Sequence, residues 1–198
     1  MNAFKTSPTV LDAIYQRRSV RSYAAKQISR TTIHSLLAAA VRAPTAVHQE
    51  PWSFVVVQDP DLLKQVSDRA KVLFLDEVHR THLDRGGHAL DAFEKPDFNI
   101  FYNAGTLIVI CGPASGPFVA ADCWLAAQNL MLAAYGMGLG TCVIGSAAIG
   151  LNTPEIKAEL GIPAEMSAVA PIIVGVPGDS GRATARKEPR ILAWKSTD

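Results

Sequence analysis

The order of predicted helices and strands indicates a mixed α+β protein, in which one sheet is covered by helices. Apolar residues recur at helical spacing in several segments. Between these segments lie short apolar runs rich in β-branched residues, which are typical of buried strands. The chain is predicted to run helix, helix, strand, helix, strand, helix, strand, helix, strand. This order suits a sheet with helices packed against it.

Two helices are predicted before the first strand. Ser7 followed by Pro8 predicts the start of a helix that ends near Arg17, because a hydroxyl caps well and proline suits the first turn. Ser29 is expected to cap the second helix, which ends at 43–44. Its apolar residues follow the spacing i, i+3, i+4, i+7, i+8. These residues are Ile33, Leu36, Leu37, Ala40 and Val41.

The next part of the chain is predicted to contain a strand, a helix and an irregular segment. The apolar run 52–57 follows Pro51 and is predicted to be a strand. A helix is expected to begin at 59–61 and to continue to about Val78. Residues 79–98 are polar and show no clear period, so we expect a variable lid there.

The second half of the chain is predicted to contain two helices and three strands. The helix over 118–135 is apolar on nearly all sides, which would place it at the centre of the molecule. A shorter helix is expected to begin at Thr153 and to end at Gly161, before Pro163. The strands are predicted at 106–111, 141–144 and 168–176.

Length and composition limit the class of protein. The 198 residues suit a single domain over 1–198, with no internal repeat or dividing linker. The 19 basic and 18 acidic residues argue against a nucleic-acid surface or a membrane-binding basic face. Three cysteines without a CxxC pair argue against a disulfide framework. With no apolar signal core and no run of about 18–20 apolar residues, we expect a cytoplasmic protein without a membrane span.

Two basic segments are the strongest indication of a ligand. The segment 17–21 contains Arg17, Arg18, Ser19 and Arg21, and the segment 186–190 contains Arg186, Lys187 and Arg190. The guanidinium group presents a planar fork that binds phosphate at two points. In an extended segment, Arg17, Ser19 and Arg21 would share one face. Both segments are equally compatible with solvated surface charge, which is the usual role of charge runs.

Other motifs indicate a functional site less strongly than the basic segments do. The glycines at 136, 138 and 140 follow a helix, whereas a dinucleotide-binding fingerprint follows a strand and opens a helix. His79, His82 and His88 are too loosely spaced to predict a metal site, so no metal is expected. No G-x-S-x-G motif is present, and the apolar setting of Cys142 favours a core residue over a nucleophile.

Four segments, in order along the chain, resemble the nitroreductase family of FMN-dependent oxidoreductases. Residues 17–23 resemble the opening R-x-S-x-R/K-x-F/Y segment of that family, and 43–52 resemble its A-P-S-x-x-N-x-Q-P-W loop. Residues 138–145 resemble its G-L-G-[ST]-C-x-x-G turn. The fourth match is formed by 175–177 together with 186–187. The sequences of these segments, in the same order, are RRSVRSY, APTAVHQEPW, GLGTCVIG, and GVP with RK.

The resemblance implies a mainly antiparallel sheet flanked by helices, in an interlocked homodimer with FMN at the subunit interface. Carried over by position, Arg17 and Ser19 would hold the FMN phosphate, with Arg18 beside them. Arg186 and Lys187 would assist from the C-terminal segment. No catalytic side chain is expected, because N5 of the flavin carries the chemistry.

The resemblance also implies contacts to the flavin ring. Arg21 would face its N1 and C2-carbonyl edge, where a cation favours the reduced form. Asn103, or Asn99 nearby, would supply a further polar contact. The partner subunit would contribute the loop residues, and the turn after 142 would pass the ring. The loop residues are Pro44, Thr45, Ala46 and His48, and the turn residues are Val143, Ile144 and Gly145.

The activity that the resemblance implies is a ping-pong oxidoreduction. NADH or NADPH would give a hydride to flavin N5, and a nitroaromatic, quinone or related small molecule would then accept it. His48 and Glu50 stand where the family has Asn and Gln, which leaves open a non-catalytic FMN store or sensor. Dehalogenation, enone reduction and flavin fragmentation, on the same fold, also stay open, as does a transferase that binds another phosphate.

Overall fold

The computed structural model describes residues 8–81, 90–179 and 184–196. It contains six α-helices and four β-strands in this part of the chain. The helices are α1 (Val10–Gln16), α2 (Arg30–Ala40), α3 (Pro60–Thr81), α4 (Val119–Gly136), α5 (Ala148–Leu151) and α6 (Pro154–Leu160). The strands are β1 (Ser53–Val57), β2 (Thr106–Pro113), β3 (Gly140–Val143) and β4 (Met166–Gly175). Single 3-10 turns lie at Ala46–His48 and Gly145–Ala147.

The four strands form one sheet in the order β1-β2-β4-β3, and every neighbouring pair is antiparallel. The long strands β2 and β4 lie at the centre, and their register shifts once, between Ile110 and Cys111. Among the described residues, the parallel element is an isolated bridge between Ser19 and Thr141. The predicted α+β class, with a mainly antiparallel sheet between helices, is therefore confirmed.

Both faces of the sheet are covered, and successive residues of β2 serve opposite faces. Leu107 and Val109 belong to the core cluster that includes residues of α3, α5 and α6. Ile108 and Ile110 belong to the cluster that includes residues of α2 and α4. All of these β2 side chains are completely buried. This double cover explains why the strands appear in the sequence as continuous apolar runs rather than alternating ones.

Several boundaries differ from the predictions for local reasons. The first helix begins at Val10 rather than at Ser7–Pro8 (Ser7 lies outside the described residues), because Thr9 and Asp12 form a reciprocal capping box. Helix α3 continues to Thr81, three residues into the segment predicted to be irregular. The remainder of that segment is described only from residue 90 onward. Helix α5 was not predicted, since four residues are too short for a periodic signal.

The position predicted for the fourth helix needs a correction. Helix α4 contacts the sheet through completely buried residues such as Ala126 and Leu130. However, Trp124 and Leu125 on the same helix are 43% and 45% exposed in the single chain. The helix therefore lies on one face of the sheet and is not enclosed at the centre. The apolar composition indicated that most sides of the helix are covered but did not show that the side with Trp124 and Leu125 lies at the surface of the chain.

Candidate functional site

The segment 17–24 lies across the ends of strands β3 and β4. The N–H of Val20 donates to the carbonyl of Thr141 at 3.0 Å, and the N–H of Ala24 donates to the carbonyl of Val176 at 2.9 Å. The carbonyl of Ser22 accepts from the N–H of a glycine just after β4, Gly178, at 2.8 Å. Backbone hydrogen bonds thus place this segment without help from its charged side chains.

Two glycines allow this close approach. A Cβ added to Gly140 would lie 2.8 Å from Cβ of Val20, and a Cβ added to Gly175 would lie 2.8 Å from Cδ1 of Tyr23. Such distances are shorter than real Cβ contacts, so a side chain at either position would push the segment away. The glycines at the first residue of β3 and the last residue of β4 are therefore part of how the site is built.

The two basic segments of the sequence meet at one cleft of about 430 Å³. Arg17 and Arg186, which lie near opposite ends of the chain, both line it. Burial lowers the pKa of Arg17, and the positive charge of Arg186 lowers it further. This mutual repulsion means that an anion in the cleft would be favourable for both groups. The lining residues are Arg17, Arg18, Ser19, Arg21, Ser22, Asp179, Thr184 and Arg186.

Arg18 also forms hydrogen bonds at the end of α1, a role that was not predicted from the sequence. Its Nη1 donates to the carbonyl of Tyr15 at 2.7 Å and to the carbonyl of Arg17 at 2.9 Å. These are carbonyls at the C-terminal end of α1, where basic side chains commonly satisfy the last acceptors. The position of Arg18 just after the end of the helix could have indicated this capping role. Arg18 therefore lines the cleft while also capping α1.

Arg21 packs against an aromatic side chain from the other half of the chain. Its Cζ atom lies 5.9 Å from the centre of the Tyr102 ring, within the range of a cation–π interaction. Tyr102 in turn meets the ring of Phe98 edge-on, with centroids 5.5 Å apart and planes 88° apart. Phe101, one of the aromatic residues near this stack, is 1% exposed and belongs to the core.

Strand β3 is bridged to the segment 17–24 at Thr141, and a turn follows this strand. Cys142 is 2% exposed, and burial raises the pKa of its thiol, although Arg21 and Arg17 lower it. Its burial fits the predicted core role. Ile144 is also buried and donates its N–H to the carbonyl of Pro171 at 2.9 Å. Gly145, by contrast, is exposed at the end of the turn, and Val143 is half-buried.

The loop 44–50 is held differently and does not line the arginine cleft. Val47, His48 and Glu50 have φ values of 48°, 55° and 45°, which are unfavourable for residues with side chains. The N–H of Ala46 donates to both carboxylate oxygens of Asp122, at 3.2 and 3.3 Å. Asp122 is 3% exposed. Sequence reasoning missed its role, although a lone acid in an apolar helix was a visible signal.

The four predicted loop residues and Asn103 are not among the described residues that line the arginine cleft. Pro44 and His48 are exposed, while Thr45 is half-buried. Asn103 lines a second cleft of about 690 Å³, together with Lys26, Gln58 and Asn99. Lys187 is exposed and is not among the residues that line the arginine cleft. Within one chain, the structure therefore brings together only part of the predicted set.

Among the described residues, no group of three His, Cys, Asp or Glu side chains could hold a metal ion. His82 and His88 lie outside those residues. In the same part of the chain, no helix has the length and apolar character that crossing a bilayer requires.

Comparison with known proteins assigns the fold to a family. The sequence profile of the nitroreductase family matches residues 14–176. The chain belongs to the nitroreductase family. A protein of Archaeoglobus fulgidus, named as a candidate NADH dehydrogenase/NAD(P)H nitroreductase, is 29% identical over 174 residues, which cover 85% of this chain and 86% of that protein.

Two further similar proteins align with nearly all of the chain. An FMN reductase [NAD(P)H] of Bacillus subtilis is 25% identical over 193 residues, covering 92% of this chain and 70% of the relative. A crystal structure of a Bacteroides fragilis nitroreductase with bound FMN superposes with a TM-score of 0.77. It is 25% identical and covers 96% of this chain and all of the other, so the match is not confined to the cleft.

Proposed function

We propose that this protein is an FMN-dependent oxidoreductase that takes electrons from NADH or NADPH and reduces a nitroaromatic, quinone or related small molecule. The observation that carries the proposal is the convergence of Arg17 and Arg186 on one cleft. The family and the FMN named in the related structure and enzyme support the choice of ligand.

The residues of the cleft fit the phosphate end of FMN. Arg17 and Arg186 repel one another across it, and Ser19 and Thr184 supply hydroxyl groups beside them. A phosphate dianion accepts charge-assisted hydrogen bonds from guanidinium forks and neutral ones from hydroxyls. Arg18 would add positive charge. Its side chain could reorient less toward the phosphate, because it already donates to carbonyls at the end of α1.

Arg21 is proposed to meet the ring end of the cofactor. It lines the same cleft, and Tyr102 packs beneath its guanidinium group. A cation held beside the N1 edge of an isoalloxazine favours added electrons there. When bound, FMN supplies the electron-transfer chemistry, and the chain supplies position, charge and exclusion of water. The exposed end of the turn at Gly145 is proposed to lie against the ring.

We further propose a homodimer in which the loop 44–48 of one subunit completes the cleft of the other. The single chain exposes large apolar side chains on three separate elements. They lie on α1, on α4 and in the extended C-terminal segment, and include Leu11, Tyr15, Trp124, Leu192 and Trp194, of which Leu192 is 84% exposed. So much exposed apolar surface is unusual for a monomer and typical of a subunit interface.

The first test is the visible absorption spectrum of the purified protein. We expect a flavin spectrum that NADPH or NADH bleaches under anaerobic conditions and that a quinone or a nitroaromatic compound restores. A colourless protein that gains no flavin on incubation with FMN would refute the proposed function.

The second test concerns the subunit interface. Replacing Trp194, which is 81% exposed, with Ser is expected to shift the protein toward monomer and to lower FMN affinity in parallel. Lys195→Ala, in the same exposed segment, is the control. Light scattering gives the mass, and fluorescence titration gives the FMN affinity. A monomer that retains FMN with full affinity would contradict the shared site.

One observation favours a second candidate, an FMN store or sensor without turnover. His48 and Glu50 stand where the family loop has Asn and Gln, and both are exposed on strained backbone. Stopped-flow reduction distinguishes the two functions. Flavin that dithionite reduces but neither nicotinamide reduces would favour the store. Product assays with halogenated phenols and with enones would test the specialised reactions of the same fold.

A further inference from the structure

Lys71 is a buried cation whose hydrogen-bond partners are neutral. It lies on α3 and is only 8% exposed. Its ammonium group donates to the carbonyls of Lys95, Pro96 and Phe98 at 3.2, 3.0 and 3.0 Å. An ammonium group has three donors, so this one is fully used. Burial of a charge is costly, and the gain here is the fixing of one turn, residues 95–98.

A second residue of α3 holds the chain just beyond that turn. The completely buried hydroxyl of Ser67 accepts the N–H of Ile100 at 3.0 Å. Ser67 and Lys71 are one helical turn apart and therefore face the same way. Together they fasten residues 95–100 to α3 by polar contacts with the backbone, which do not depend on which side chains that segment carries.

A continuous row of aromatic rings runs through the fastened segment at Phe98. Phe74 of α3 contacts Phe93, and Phe93 contacts Phe98, each with centroids 5.1 Å apart. Phe98 meets Tyr102 edge-on, and Tyr102 lies beneath Arg21. Tyr102 has a φ of 52°, a strained value that persists only when the surroundings hold it. The row ends at a residue that lines the arginine cleft.

We propose that Lys71 is a positioning residue for the flavin site. Its ammonium group fixes the turn 95–98, which orients Phe98 and Tyr102, and these hold the guanidinium of Arg21 at the cleft. The inference rests on the proposed function, since it assigns the purpose of Arg21 to FMN. In this proposal, a residue outside the cleft determines where the charge of Arg21 and the rings of Phe98 and Tyr102 lie relative to the flavin ring.

The test compares Lys71→Met, which removes the donors, with Lys71→Gln, which keeps an amide donor without charge. Lys64→Met is the matched control, because Lys64 lies on the same helix with its side chain 70% exposed. Hydrogen exchange of peptides spanning 93–104 is measured by mass spectrometry. The flavin midpoint potential, and KM and kcat with 1,4-naphthoquinone as acceptor, are measured on the same samples.

In Lys71→Met, we expect exchange in that segment to accelerate at least tenfold, while peptides from α2 and α4 keep their wild-type rates. The midpoint potential should become more negative, and KM for the quinone should rise at least fivefold. Lys71→Gln should lie between this variant and the wild type, and Lys64→Met should match the wild type. If Lys71→Met did not fold, the same changes in Lys71→Gln, in reduced size, would decide.

Wild-type exchange rates in a folded Lys71→Met protein would overturn the inference. So would faster exchange with an unchanged midpoint potential and KM, since the turn would then not position Arg21. A wild-type protein without flavin is a different outcome, because it refutes the proposed function and with it the purpose assigned to Lys71. The spectrum of the wild type therefore separates failure of the proposed function from failure of this inference.

Discussion

The segment 17–24 and the loop 44–50 are both polar in sequence, yet the fold holds them in opposite ways. Backbone hydrogen bonds attach the first to the ends of β3 and β4. The second has three residues with positive φ, and its Ala46 N–H is held by the buried carboxylate of Asp122. The first segment lines the arginine cleft together with other residues of its own chain, whereas the second is not among the residues that line that cleft.

The difference lies in how the fold fixes each segment. A segment fixed to strand ends can present cations rigidly within one subunit. A strained, exposed loop gains little in isolation, because strain persists only where other contacts compensate for it. We infer that the cation side of the site forms on folding and that the loop side gains its purpose on dimerisation. Four predictions test this contrast, and a fifth concerns the dependence of stability on pH.

The largest effect is expected from Arg17→Ala, which removes a charged donor from the cation side of the proposed site. FMN binding should weaken by about 1.5–3 kcal/mol, the scale of a lost charge-assisted hydrogen bond, or about 10- to 150-fold. Fluorescence titration measures the affinity. Arg80→Ala is the control, because Arg80 is an exposed partner of Glu77. An affinity equal to that of the wild type would remove the phosphate role from Arg17.

The next effect concerns the glycine that lets the segment approach β3. In Gly140→Ala, the new Cβ would meet all three side-chain carbons of Val20 within 2.9 Å. We expect a loss of about 1–3 kcal/mol in the free energy of unfolding, the usual cost of overpacking, together with weaker FMN binding. Gly136→Ala is the matched control, since nothing lies within 4 Å of its added Cβ. Urea denaturation measures the free energy of unfolding. Equal stabilities of Gly140→Ala and Gly136→Ala would contradict the close approach of Val20 to Gly140.

A smaller effect is expected on the loop side from Asp122→Asn. The amide oxygen still accepts the Ala46 N–H but loses its charge, so unfolding should become easier by about 1 kcal/mol. The dimer should weaken more than the isolated fold if the loop serves the partner. Asp76→Asn, at an exposed position of α3, is the control. Sedimentation across a concentration series would show an unchanged dimer if the loop had no such role.

The smallest effect lies in two buried thiols that report on the two regions. Burial and the charge of Asp122 raise the pKa of Cys123 from 9.0 to about 11. Burial also raises the pKa of Cys142, but Arg21, Ser19 and Arg17 oppose the rise. We expect Cys142 to titrate below Cys123 in ¹³Cβ NMR spectra. Arg17→Ala should raise the pKa of Cys142 alone, and a shift at both thiols would contradict the separation.

The raised pKa of Cys123 also predicts that stability depends on pH. Because the folded pKa of Cys123 exceeds its unfolded value, the folded state binds more protons between these values. The contribution is therefore complete below pH 9 and is lost as the pH rises from about 9 to about 11. Denaturation of the wild type and of Cys123→Ala across this range measures it, and parallel curves would show no contribution.

Much of the fold was predictable because its signals are local. The caps at Ser29 and Thr153 accept the backbone N–H groups expected of them, and Gly161 ends α6 with a φ of 69°. The strand β1 begins one residue from its predicted start. The capping box at Thr9 prevailed over the proline signal, because two reciprocal hydrogen bonds outweigh a preference for one residue type.

The site was predictable only in part. Order along the chain and the family resemblance indicated that Arg17 and Arg186 would approach each other, and both line one cleft. The same reasoning missed Lys71 and Asp122, because the sequence of a helix does not show which distant residues a charged side chain reaches. Asn103 lines the second cleft, and its contact with the flavin stays a prediction.

The sequence by itself determined most of the elements, their order and the residue types that can hold an anion, because capping, hydrophobic period and charge are properties of neighbouring residues. Only the tertiary structure decided which of those residues meet. The convergence of the two basic segments depends on how the chain crosses the ends of β3 and β4, and the contacts of Lys71 and Asp122 join positions that are distant in the chain. Contacts of that kind arise from packing in three dimensions, which no local pattern encodes.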